Sequence, residues 1–256
     1  MDTSNPFQLQ NKNIIITGAS SGIGRQCAIS ASQLGARVIL VGRNMEKLCE
    51  TLELMDHEMN HIICAADLMD YEITEREIKK AMEQAGKMHG IIHAAGISTT
   101  LPLRSITASK MDDYFKTNVY GSIQLTRILT KPAYLTEHGA SIIFLTSVMG
   151  VVGEVGKTIY SLTKGALVAG SKSMALELAP KKIRVNCISP GVIITPMSSA
   201  AVYTQNEAAL EKTKSYHPLG LGIPEDVANG CIFLLSDASK WITGTNLVID
   251  GGYTAR

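Results

Sequence analysis

Short apolar runs alternate with amphipathic helical stretches along the whole chain, and this alternation limits the fold more than any other feature. Residues 13–16, 38–41, 62–65, 90–93, 141–145, 184–188 and 247–249 read as strands. Helical patterns fill the gaps at 23–34, 45–55, 72–85, about 110–129, 158–178 and 224–235. The strand runs are apolar throughout rather than alternately polar. That pattern belongs to strands covered on both faces, as in a parallel sheet clothed by helices. Strand–helix alternation with short turns implies right-handed crossovers. The expected fold is therefore α/β: a Rossmann-type, doubly wound parallel sheet of about seven strands with helices on both faces. No linker, repeat or low-complexity tract interrupts it, so residues 1–256 read as one domain.

The region 191–222 lacks a clear period. A connection of that length is usually functional, and a substrate lid is expected at about 196–221. Its candidates for substrate contact are Met197, Tyr203, Tyr216, His217 and Leu219.

Bulk properties narrow the function. With 45% hydrophobic and 18% charged residues, the chain can bury a large core. A net charge of +1 gives no electrostatic case for nucleic acid or an anionic membrane. No run approaches the ~18 apolar residues of a membrane span. The polar first ten residues lack the apolar core of a signal peptide. The five cysteines, Cys27, Cys49, Cys64, Cys187 and Cys231, form no Cys-x-x-Cys pair and read as reduced thiols. The expectation is a cytoplasmic protein.

Three groups of residues carry the chemistry. First, Gly18-x-x-x-Gly22-x-Gly24, with Ser20, Ser21 and Ile23, joins the first strand to the first helix. Such glycines let the backbone turn tightly and approach a pyrophosphate, which the free N–H groups of a helix N-terminus then receive. Second, Tyr160 and Lys164 are i and i+4 on a helix, so they share a face. A tyrosine is a poor acid or base near neutrality, and an adjacent ammonium is expected to lower its pKa. Third, Ser147 lies at the end of the fifth strand, thirteen residues before the tyrosine.

In this order and at these spacings, the motifs resemble the short-chain dehydrogenase/reductase family over nearly the whole chain. The resemblance implies hydride transfer between a nicotinamide dinucleotide and a carbonyl or secondary alcohol. It implies that Tyr160 donates the proton, that Ser147 binds the substrate oxygen, and that Lys164 binds the nicotinamide ribose as well as tuning Tyr160. Asn118 matches the asparagine that kinks its helix and orders water beside the lysine. Asp67 and Leu68 match the pair beside the adenine. His93-Ala94-Ala95-Gly96 stands where relatives usually carry Asn-Asn-Ala-Gly; the small Ala94, Ala95 and Gly96 admit the ribose, and His93 reads as a structural substitute. In Pro190-Gly191-Val192-Ile193-Ile194-Thr195, Ile193 and Thr195 are expected to hold the carboxamide. NAD sites place an acid at the end of the second strand, whereas NADP sites use arginine. Here Arg43 stands without an acid, so NADP(H) is expected to be preferred, with NAD(H) possible. Relatives assemble through the helices near 110–129 and 158–178 and the last strand, so a homotetramer is expected.

The resemblance is strongest to 3-oxoacyl-carrier-protein reductases and to sugar and steroid dehydrogenases. Around Glu137 and Glu177 the chain has lost the positive charge that would welcome an acidic carrier protein. A small-molecule substrate is therefore preferred to a carrier-linked one. A non-catalytic dinucleotide-binding protein is the remote alternative, against which the intact Ser147, Tyr160 and Lys164 stand. His57-Glu58-Met59-Asn60-His61 fits a zinc-protease pattern, but it runs from a helix end into a loop, so no metal ligands are expected.

Overall fold

A computed structural model describes residues 5–199 and 206–255. Among the described residues, seven strands form one parallel sheet: β1 (Asn13–Thr17), β2 (Arg37–Gly42), β3 (Ile62–Ala65), β4 (Gly90–His93), β5 (Ala140–Leu145), β6 (Ile183–Pro190) and β7 (Asn246–Ile249). Their order across the sheet is 3-2-1-4-5-6-7. The direction of progression reverses between β1 and β4. At such a point the carboxyl ends of the strands splay apart and leave a crevice.

Successive residues of a strand face opposite layers, and here both layers are apolar. Ile14 and Ile16 pack with Cys27, Ala28 and Ala31 of α1 (Gly22–Gln33) and with Val227, Ala228 and Cys231 of α9 (Pro224–Leu235). Ile15 faces the other way. It joins Ile78 and Met82 of α3 (Tyr71–Ala85), Leu125 and Leu129 of α5 (Gly121–Leu129) and Leu167 of α6 (Thr158–Leu178). α2 (Met45–Glu53) lies beside β2 and β3. Central β-residues are thus sealed from water, as the unbroken apolar runs anticipated.

Two stretches differ from the sequence expectation. The helix expected at 110–129 is interrupted. α4 (Ala108–Phe115) passes into a wide π-type turn over Lys116–Tyr120 before α5 continues. The cause is Asn118 at the centre of that turn. Its Oδ1 accepts from the Ile97 N–H at 2.8 Å, and its Nδ2 donates to the Ile97 carbonyl and to Thr163 Oγ1, both at 3.0 Å. A buried amide bonded on both sides to another loop holds the helix out of its regular winding; such turns concentrate at functional sites. The second difference is the stretch after β6. Among the described residues it contains two helices, α7 (Pro196–Ser199) and α8 (Glu207–Ser215). Their short or polar windows carry no clear apolar stripe. Tyr203 lies outside the described residues.

Candidate active site

The glycine-rich turn sits at the carboxyl end of β1 and is braced from three sides. Gly18 has φ +67, and a Cβ there would stand 2.9 Å from the Ala94 carbonyl carbon and the Ala95 nitrogen. A Cβ on Gly24 would collide with the Gly18 carbonyl. Glycine is therefore required at both positions, for conformation at one and for close packing at the other. The Ala19 N–H donates to the Val41 carbonyl, Thr51 Oγ1 donates to the Ala19 carbonyl at 2.9 Å, and Arg25 donates to the Ser20 carbonyl at 2.8 Å. Thr17 holds the facing wall: its buried hydroxyl accepts from both the Ala94 and Ala95 N–H groups at 3.1 Å. The sequence reading missed that role, and a hydroxyl residue closing a strand was the only available signal.

α1 begins behind this turn with Ser21 at its N-cap, and no side chain occupies the free N–H groups there. An uncapped N-terminus at the mouth of a crevice is suited to an anionic phosphate. A cavity of about 260 Å³ opens here. Gly18, Ser20, Ser21, Gly22, Ile23 and Gly24 form one wall, Arg43, Asp67 and Leu68 another, and Ala94, Ala95 and Gly96 the floor. The Arg43 side chain is 70% exposed and lies 4.0 Å from the Asp67 carboxylate, so its guanidinium has most of its donors available. The residues fit a phosphorylated dinucleotide: backbone donors for the pyrophosphate and a cation at the ribose end.

A second cavity, of about 190 Å³, continues from the first and shares Ile23, Ala94, Gly96, Ile97, Thr195 and Met197 with it. Ser147, Tyr160 and Lys164 converge on it, together with Pro190, Gly191 and Ile193. Ser147 lies two residues beyond β5, where its Oγ accepts from the Met149 N–H at 3.1 Å and its hydroxyl also bonds the Tyr160 phenol. Lys164 is buried, its Nζ donating to the Leu145 carbonyl at 2.7 Å and standing 5.6 Å from the centre of the Tyr160 ring. Gly96 leaves room for this arrangement, since a Cβ there would come within 3.2 Å of Asn118 Oδ1 and 3.5 Å of Lys164 Nζ. Asn118 itself lies behind the cavity and acts on it through Ile97.

The electrostatics correct one expectation. Burial pushes the Tyr160 phenol up to about 12, with the Ser147 hydrogen bond opposing it. No lowering by Lys164 offsets this, its ammonium being bound to the Leu145 carbonyl. Burial meanwhile pulls Lys164 down to about 8. Enclosure thus keeps Tyr160 protonated.

The loop after β6 is pinned rather than loose. The Ile194 N–H donates to the Gly222 carbonyl, and the Gly222 N–H donates to the Val192 carbonyl. His217 is buried, its Nε2 accepting from the Val192 N–H at 3.2 Å while its Nδ1 donates to the Thr213 carbonyl. It is a strut of the loop and does not line the cavity. Tyr216 and Leu219 do not line it either; of the described lid candidates only Met197 does. His93 is likewise structural. It stacks on Phe144 at 4.7 Å, bonds Thr126 Oγ1 through Nε2 and is pulled down to about 3 by burial, so it stays neutral. His61 spends both ring nitrogens on the Val38 N–H and the Asp56 carbonyl, which ties the His57–His61 stretch to the sheet.

The comparisons with known proteins agree with this geometry. Residues 18–254 match the family described as enoyl-(acyl carrier protein) reductase. The chain is 31% identical to the 3-oxoacyl-[acyl-carrier-protein] reductase of Thermotoga maritima, over 96% of this chain and 99% of that one. It superposes with a TM-score of 0.90 on a short-chain type dehydrogenase/reductase from Mycobacterium ulcerans, at 29% identity, covering 97% and 92% of the two chains.

The chain is a short-chain dehydrogenase/reductase.

This short-chain dehydrogenase/reductase also superposes with a TM-score of 0.92 on a 7α-hydroxysteroid dehydrogenase, at 27% identity and 98% coverage of both chains. That structure holds NADH and 7-oxo glycochenodeoxycholic acid. The present chain is accordingly an oxidoreductase enzyme of this family, with the parallel-sheet fold read from its sequence. Among its described residues no helix is long and apolar enough to cross a membrane.

Proposed function

We propose that the protein is an NADP(H)-dependent oxidoreductase that interconverts a carbonyl and a secondary alcohol on a small molecule. The observation that carries this reading is the joining of two cavities. The one framed by the glycine turn and Arg43 runs into the one framed by Ser147, Tyr160 and Lys164, across the common wall of Ile23, Gly96 and Thr195.

A nicotinamide dinucleotide, when bound, supplies or accepts the hydride. The residues of this chain do the rest. Gly18, Ser20, Ser21, Gly22, Ile23 and Gly24 present backbone donors to its pyrophosphate, and Arg43 pairs with a 2′-phosphate. Asp67 and Leu68 flank the adenine, Ala94, Ala95 and Gly96 admit the ribose, and Pro190, Gly191, Ile193 and Thr195 border the nicotinamide side. Ser147 donates to the substrate oxygen. Tyr160, kept protonated by its enclosure, gives that oxygen its proton as hydride reaches the carbon. Lys164 holds the ribose hydroxyls. Asn118 keeps Ile97 and the π-type turn in position behind Lys164. The reverse sequence oxidises an alcohol.

Two apolar faces favour self-association into a homotetramer. A shallow groove between α4 and α6 is lined by Phe115, Val151, Leu162 and Ala166, and Val248 on the edge strand β7 is exposed. A cytoplasmic location is consistent with four described cysteines that are buried as free thiols. The test of function is a panel of ketones and alcohols followed by NADPH absorbance. Turnover of free ketones is expected. A large, salt-sensitive preference for acetoacetyl-carrier protein over acetoacetyl-CoA would replace the small-molecule reading. Light scattering at micromolar concentration tests the tetramer, which a monomer would refute.

A further inference from the structure

Three charged side chains line the catalytic cavity among the described residues: Lys164, Glu154 and Lys157. The proposed mechanism uses the first and leaves the other two unexplained. Lys157 is the N-cap residue of α6, three positions before Tyr160. Residues so spaced lie on one face, with Cβ atoms roughly 5–6 Å apart. Both Lys157 and Tyr160 line this cavity.

Lys157 is half-buried and poorly satisfied. An ammonium has three donors, yet among the described residues its one hydrogen bond runs to the Thr99 carbonyl at 3.4 Å, the outer limit of such a contact. Among the described residues no carboxylate lies within ion-pair distance of it. The half-buried Lys12 differs, pairing with Asp237 at 2.5 Å, and Lys79 pairs with Glu75 at 2.6 Å. Glu154, the nearest acid in the cavity wall, is exposed and remains too far to pair. Water screens it, so it leaves the field at Lys157 positive. Burial draws the proton affinity of Lys157 down, with Glu154 opposing, and a bound anion would reverse that loss. A half-buried cation that lines the reaction cavity with donors to spare is suited to receive an anion there.

We infer that Lys157 receives a carboxylate on the substrate, which makes the natural substrate a small oxo or hydroxy acid whose carboxylate lies a few bonds from the reacting carbon. This rests on the oxidoreductase reading of the same cavity. The volume agrees: about 190 Å³ is below the roughly 300–1,000 Å³ of pockets that take drug-sized ligands. Ser98 adds a polar group to a wall that includes Met149, Val192 and Met197. In the reaction a bound nicotinamide cofactor would supply the hydride taken up by the oxo carbon, and Tyr160 gives a proton to its oxygen. One C–H and one O–H bond replace the C=O π bond, and the carboxylate is unchanged.

The experiment uses acids and their neutral esters as matched pairs: acetoacetate with methyl acetoacetate, and levulinate with methyl levulinate, each at saturating NADPH. The unmodified protein is expected to show kcat/KM for an acid at least about tenfold above its ester. In Lys157→Gln the acid-to-ester ratio should fall by about 10–100-fold, the range for a hydrogen bond to a charged group, mainly through KM. Lys157→Arg should restore much of the ratio. Esters reduced as well as acids by the unmodified protein would overturn the inference and leave the oxidoreductase reading standing. An equal fall for acid and ester in Lys157→Gln would also overturn it, since that is what a merely structural N-cap would give. Reduction of no ketone by protein that binds NADPH would overturn both readings.

Discussion

The two halves of the cleft are built on different principles. The dinucleotide half is made largely of backbone: a tight glycine turn, an uncapped helix start and small residues that let a cofactor approach. The substrate half is made of side chains that arrive from β4, β5, α6 and the loop after β6. Backbone construction tolerates few residue types, so it leaves a signature that can be read from spacing alone. Side-chain construction depends on which groups the folded chain turns inward, and Lys157 gives no warning of it in the sequence.

This contrast is open to test, and the largest effect belongs to the side-chain half. Tyr160→Phe keeps the ring and removes the proton donor, so kcat should drop by about 10²–10⁴-fold. Fluorescence titration should still find NADPH bound. Near-normal turnover would mean that the substrate half does not work through Tyr160. A different kind of damage is expected in the backbone half. Gly18→Val adds a side chain against Ala94 and Ala95 in a left-handed conformation. It should weaken NADPH and NADH together by at least about tenfold, alongside a loss of roughly 1–3 kcal/mol of stability seen in thermal unfolding.

Arg43→Ala sharpens the comparison within the dinucleotide half, because Arg43 is its one specificity-bearing side chain. NADPH should weaken by about 10–100-fold, as charge-assisted hydrogen bonds are lost, and NADH by much less. Equal affinity for both cofactors in the unmodified protein would show that the exposed guanidinium selects nothing.

The smallest effect concerns the framework both halves share. His93 in the folded chain titrates near 3, against an ordinary 6.5. Its folded-state affinity for a proton is depressed, so the unfolded chain takes up the proton first. The stability it contributes is complete above about pH 6.5 and is lost as pH falls towards 3. Between pH 7 and 5 the loss should be about 2 kcal/mol. His61 and His89 are lowered by burial in the same direction and steepen the slope. Thermal unfolding of His93→Asn across this range should show a shallower dependence; an unchanged slope would mean that His93 is not the group that titrates.

By itself the sequence determined the order of strands and helices, because unbroken apolar runs have no stable place except a sheet covered on both faces. It also determined the glycine turn and the grouping of Ser147, Tyr160 and Lys164, since a helix puts positions i and i+4 on one face whatever surrounds them. Tertiary structure alone decided three things. The kink that the resemblance placed at Asn118 takes the form of a π-type turn because Ile97 and Thr163 offer it three hydrogen bonds from distant segments. His217, a plausible substrate contact as a lid residue, becomes a strut because Val192 and Thr213 occupy both of its ring nitrogens. Tyr160 becomes a firmly protonated acid, contrary to the pairing rule, because enclosure outweighs a neighbouring charge that is aimed at the Leu145 carbonyl. In each case the outcome depends on groups far apart in the chain and on how much water the fold excludes, neither of which local spacing records.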